Sequence, residues 1–140
     1  MKKVFILLLV LIAATALTGC GSSSGKTVTG ADEDAVLAFS EAKTDNLLAG
    51  MNANDYAMFS KDFDEAMLTA MTQTEFAKLK ADRDAKLGLY VSRQVTSVVQ
   101  VGDFYAVNYA AVFERDKSVS VRVVFRIADP HQVSGLWFSK

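Results

Sequence analysis

Residues Tyr105–Ile127 read YAVNYAAVFERDKSVSVRVVFRI, and their period decides the fold class. Tyr105, Val107, Tyr109, Ala111 and Phe113 alternate with residues that include Asn108 and Glu114. After Arg115-Asp116-Lys117, Val119, Val121, Val123, Phe125 and Ile127 alternate with Ser120, Arg122 and Arg126. A period of two puts one set of side chains on each face of a strand, so this is a hairpin with an apolar and a wetter side. The same pattern predicts a strand before it, Leu89 to Val101, ended by Gly102-Asp103. A further strand, Val133 to Ser139, follows Asp129-Pro130-His131. Four strands joined by short turns make an antiparallel meander, which can pack one face on helices and wet the other.

Upstream the period lengthens to 3.6. Over Ala35 to Met51, Asp34, Glu41 and Asp45 share a narrow face opposite Val36, Phe39 and Leu47, which predicts an amphipathic helix ended by Gly50 and Asn52. Asn54-Asp55 caps a second helix with Tyr56, Phe59 and Phe63, broken near Ser60 to Asp64. Thr72 with Glu75 forms a capping box ahead of Phe76 and Leu79, and Gly88 suits a left-handed helix end. Three helices followed by a four-stranded meander give an α+β domain over residues 31–140, since no strand alternates with a crossover helix.

Before the domain, Lys2 and Lys3 precede an apolar run from Val4 and a small-residue stretch ending at Leu17-Thr18-Gly19-Cys20. These are the zones of a secretory signal, and the run is shorter than the roughly 20 apolar residues that span a bilayer. The last four residues resemble the bacterial lipobox. That resemblance implies a signal peptide over residues 1–19 and a lipid, palmitate included, on Cys20, which anchors the protein outside the cytoplasm. Cys20 is the single cysteine, so the chain forms no internal disulfide. Residues 20–30 are then the lipidated cysteine and a glycine- and serine-rich tether reaching about 15–20 Å from the lipid. Without Lys2 and Lys3, the 15 basic side chains fall to 13 against 16 acidic ones, and none form a run. That excludes nucleic acid as the main partner.

Catalytic motifs are lacking. The one histidine, His131, lies in a turn, and neither a nucleophile–histidine arrangement nor a set of zinc ligands can be assembled. Asp62, Asp64 and Glu65 crowd a helix start, where carboxylates favour the exposed amides. No cofactor and no metal is expected.

Two cations interrupt the apolar pattern. Lys43 lies in the apolar arc of the first helix, where its stem covers apolar surface while the ammonium reaches water, or it is a buried cation. Arg93 shares the odd parity of Leu89, Val91 and Val95, so either a bulge near Ser92 to Gln94 turns it outward or it points into the domain. With both inward, Lys43, Tyr56, Arg93, Tyr109 and Phe125 would line a cationic, aromatic-walled pocket. On the opposite parity, Val98, Val112, Val124 and Leu136, with Phe104 and Phe138 beside them, form a candidate interface on the sheet face. Trp137 and Phe138 face opposite sides.

Gly50-Met51-Asn52, Asp55-Tyr56, Phe59 to Asp64, Leu87 to Ser92, Val107-Asn108-Tyr109 and Ser134 to Phe138 together resemble an uncharacterised bacterial family of secreted and lipoprotein domains. That family lies within the nuclear transport factor two-like, cystatin-like fold group. The resemblance implies a cone of helices against a bent sheet, often with a pocket at its mouth. The expected function is a non-catalytic, lipid-anchored accessory domain that binds a small apolar or amphipathic ligand or a partner protein. The alternatives are a small hydrolase or isomerase, and a structural protein that dimerises through its sheet.

Overall fold

The computed structural model describes residues 25–140. The signal segment and Cys20 lie outside the described residues. The order of elements is β1 (Lys26–Val28), α1 (Ala31–Ala53), α2 (Tyr56–Ser60), α3 (Glu65–Ala70), α4 (Gln73–Lys86), β2 (Tyr90–Val101), β3 (Phe104–Phe113), β4 (Val119–Arg126) and β5 (Val133–Ser139). The α+β class and the meander agree with the sequence pattern. The sheet has five strands rather than four, in the order β1-β2-β3-β4-β5, all antiparallel. The added strand comes from the stretch read as tether, because Lys26–Val28 pairs with Val98–Gln100. Val28 is buried there, and that single apolar contact is too short to leave a periodic signal. Among the described residues there are four helices rather than three, the second being broken as expected. Asp64 caps the new start by accepting from the Met67 N–H at 2.8 Å.

α1 runs through Gly50 and Asn52 to Ala53 and ends at Asn54, whose φ of 58° supplies the left-handed residue that closes it. Gly50 is therefore a packing position. Its bare Cα lets the backbone of α2 approach, and an added Cβ would meet the Phe59 nitrogen at 2.5 Å. Val36, Leu47, Leu48 and Met51 of α1 pack on Val107, Tyr109, Val121, Val123 and Phe125 of the sheet, all buried.

Two bulges overturn part of the face assignment. Val95 opposes Tyr109 but Ser97 opposes Asn108, so β2 carries one residue more than β3 there, and every later side chain changes face. Val98 therefore enters the core, fully buried. In β5, Gly135 opposes Val124 and Val133 opposes Phe125. The extra residue puts Leu136 and Phe138 beside Val123 and Val121 on the helix side. Of the six residues expected on the outer face, Phe104, Val112 and Val124 lie there, while Val98, Leu136 and Phe138 do not. Trp137 takes the outward place and is 54% exposed.

Candidate functional site

The five residues expected to line one pocket occupy three places. Tyr56 lies among the short helices, its hydroxyl donating to the Met71 carbonyl at 2.9 Å and its ring beside Phe76. Lys43 extends to the far turn, where its ammonium donates to the carbonyls of Pro130 and His131. The His131 ring stacks on Phe39 with centroids 4.0 Å apart, so it is held on α1 rather than left in solvent. Phe125 is fully buried core.

Only Arg93 and Tyr109 meet. Arg93 points toward α1, its guanidinium 5.0 Å from the Tyr109 ring centroid and its side chain 7% exposed. The bulges of β2 flank Arg93 without turning it outward. The guanidinium pairs with Glu41 at 3.1 Å and with Asp45, and it donates to the Tyr90 hydroxyl at 3.2 Å. Tyr109 donates to Glu41 at 2.9 Å and shares a hydrogen bond with Thr44. The acidic face of α1 is thus turned in part to the sheet edge. Its carboxylates at positions i and i+4 meet the one cation on the inner parity of β2, a complementarity that the two patterns carry only when read together.

These contacts hold Arg93 and Tyr109 each in one charge state. Burial favours the neutral Tyr109 phenol, and with Glu41 beside it the pKa is pushed up to about 12. Burial would lower the Arg93 pKa, but hydrogen bonds to Asp45 and Tyr90 and the Glu41 charge outweigh it, and the net direction is upward. Arg93 Nε and Ser40 Oγ are buried without a hydrogen-bond partner among the described residues. Removing the Tyr109 hydroxyl should cost about 1–2 kcal/mol, because Thr44 and Glu41 each lose a partner. Urea unfolding of Tyr109→Phe measures this, and an unchanged midpoint would show that the cluster is not coupled to folding.

A second polar centre joins the other end of the helices to the sheet. Asn52 Oδ1 accepts from Tyr90 N–H at 3.0 Å and from Arg83 at 2.8 Å, while its amide donates to the Tyr90 carbonyl at 2.9 Å. The Asn52 amide thus stands in for a neighbouring strand at the start of β2. Asp84 holds the other side of the buried Arg83 guanidinium.

Beside this junction a groove of about 370 Å³ opens between α4 and β5. Leu79, Leu87, Val119, Leu136 and Phe138 give it apolar walls, and Arg83, Lys86, Lys140 and Asp82 lie around them. Nothing in the sequence singled it out, because a bulge put Leu136 and Phe138 on this side. Among the described residues no cluster of three or more His, Cys, Asp or Glu side chains is arranged to hold a metal. No helix among them is long and apolar enough to cross a membrane.

Residues 44–135, well over half of the chain, match the family described as protein of unknown function (DUF3887). The chain belongs to the DUF3887 family. The matched span begins at Thr44, inside α1, and ends at Gly135, so it takes in Arg93, Tyr109 and the Asn52 junction. Neither the curated proteins nor the solved structures include a match to this DUF3887 chain.

Proposed function

We propose that the DUF3887 chain is a lipid-anchored, non-catalytic binding module on the outer side of a bacterial membrane, and that the groove between α4 and β5 receives its partner. One observation carries this reading: the interior is filled by Tyr109, Phe113 and Phe125, whereas the groove is open and apolar-walled. A small site for hydrophobic contact with a few polar groups at its rim fits recognition of an amphipathic partner. The nearest carboxylate to the interior tyrosine, Glu41, is occupied by Arg93 and by the Tyr109 hydroxyl, which favours the binding reading over a hydrolase or isomerase. The basic start, short apolar run and Leu-Thr-Gly-Cys20 sequence support the anchor. Helices on a bulged meander support kinship with the nuclear transport factor two-like group. A dimer through the outer sheet face is the weaker reading, with Phe104 covered by Arg126 at 5.6 Å.

A photo-crosslinking amino acid at Asp82, in the full chain expressed in a bacterial host, tests the groove. Adducts are expected at position 82 and not at outer-face Gln94. An equal yield at both positions, or none at either, would remove the groove from the function. Mass analysis of the same protein should find the lipid on Cys20.

A further inference from the structure

The groove is bounded on one side by an unfinished strand edge. β5 is the last strand of the sheet, so one side of it faces no other strand among the described residues. At its start that side is used: the Val133 N–H donates to the Asp62 carbonyl at 2.8 Å, and its carbonyl accepts from the Asp64 N–H at 2.9 Å. Phe63 thereby bridges Val133 in parallel. Peptide groups alternate along a strand in step with side chains. Leu136 and Phe138 share the inner face with Val133, so their N–H and C=O groups point the same way, away from β4. No backbone group among the described residues hydrogen-bonds to them.

Unpaired strand edges are templates for an added chain, and natural proteins usually cover or charge them. Here residues 62–64 cover only the first part. From Gly135 to Ser139 the edge runs about 17 Å at roughly 3.3 Å per residue, enough for a strand of five residues. The groove that follows this edge is walled by alternate apolar side chains; Arg83 is buried there and held by Asp84, so the exposed charges at the rim are Lys86 and Lys140 against Asp82. Lys86 and Lys140 are held only by exposed pairs with Asp82 and Asp116, which contribute little and exchange readily. A second copy of this chain would bring the same cations against them. An incoming segment with acidic ends and apolar residues at every second position satisfies backbone, walls and charge together.

From this edge we infer that β5 takes an extended acidic peptide as a sixth strand, seated beneath α4. The inference rests on the binding-module reading and specifies its partner class.

The test uses the full chain in detergent micelles and a seven-residue peptide of alternating valine and threonine with aspartate at both ends. Trp137 borders the groove and is the single tryptophan, so its emission reports occupancy. The aspartate-ended peptide should shift the emission saturably, with a lysine-ended counterpart at least tenfold weaker. The double variant Lys86→Glu, Lys140→Glu should reverse that order, and both lysines are exposed enough to change without unfolding the domain. N-methylation of the peptide nitrogens that face β5 should weaken binding more than tenfold, while methylation of the alternate nitrogens should not.

Equal tolerance of N-methylation at every position would overturn strand addition and leave a groove that binds by side chains alone. A chain that dimerises with concentration and ignores the peptide would overturn it in favour of a second copy. Failure of both peptides to bind, with crosslinks still forming at position 82, would sink the peptide partner but not the binding module. Loss of both signals would sink the two readings together.

Discussion

Gly50→Ala should destabilise the domain by about 3 kcal/mol, although alanine is the better helix former. Glycine inside a helix costs about 1 kcal/mol relative to alanine, so propensity alone predicts a gain. The environment reverses the sign. An added Cβ would lie 2.5 Å from the Phe59 nitrogen, 2.8 Å from its Cα and 3.0 Å from the Asp55 carbonyl oxygen. These are backbone atoms, and they cannot rotate aside as a side chain would. The Asp55 N–H donates to the Gly50 carbonyl at 2.8 Å, and the Asp55 carboxylate caps α2 through Met58, so α2 must move as a unit. Phe59 would move with it, out of contacts with Phe63 and Phe76 at ring separations of 5.0 and 4.6 Å. Overpacking of this kind costs about 1–3 kcal/mol and more when backbone shifts. A thermal midpoint lower by about 10 °C is expected for a domain of this size. Ala49→Gly, one residue away and exposed, should lose only the propensity of about 1 kcal/mol. A raised midpoint for Gly50→Ala would refute the close approach of α1 and α2.

Gly50 reads as a helix end in the sequence but lies inside α1, and the difference shows which features a linear pattern transmits. The alternation in Tyr105–Phe113 and Val119–Phe125 was sufficient because β3 and β4 pair without a register shift from Phe104 to Ala111. The same alternation fails in β2 and β5, where two bulges in β2 and one in β5 exchange the faces. A bulge inserts one residue without any composition of its own, so Val98 and Leu136 were assigned to the wrong side by a rule that was otherwise right. The broken helix and the Thr72 cap were legible because capping needs particular side chains at fixed offsets. Thr72 accepts from the Glu75 N–H at 3.3 Å, as that rule requires. Arg93 was legible as an anomaly, but its partners were not, since Glu41 and Asp45 lie about fifty residues away and pair with it only after α1 is laid across the sheet. The groove was the least legible feature, being made of one bulged strand and one helix face whose juxtaposition is purely tertiary.

Asp64→Ala should cost about 3–4 kcal/mol near neutral pH, and the cost should shrink in acid. The Asp64 side chain is 3% exposed and serves three donors. Oδ1 accepts from the Met67 N–H at 2.8 Å, and Oδ2 accepts from Arg126 Nε at 2.8 Å and from the Ser134 hydroxyl at 2.6 Å. The helix cap alone contributes about 1 kcal/mol, and hydrogen bonds to a charged acceptor about 1.5–3 kcal/mol each, with partial recovery because Arg126 is itself half-exposed. Burial pushes the Asp64 pKa up, but Ser134, the Met67 amide and Arg126 outweigh it, and the net direction is below the ordinary 3.8. A carboxylate whose pKa is depressed by folding contributes stability in full above its unfolded pKa and loses it as pH falls through the folded value. The difference between wild type and Asp64→Asn, measured by urea unfolding, should therefore be constant from pH 7 to about 5 and should narrow below about 4. Asp84 and Asp116 are also lowered, so some acid sensitivity should survive in the variant. A gap that stays the same down to pH 2, or an Asp64→Ala cost below 1 kcal/mol, would show that the carboxylate does not hold this corner. The same residue fastens the 62–64 segment over Val133, so its loss should uncover the start of β5 and lengthen the free edge. Concentration-dependent aggregation is then expected of Asp64→Ala before global unfolding, and Arg126→Ala, which leaves the cap in place, should show much less of it.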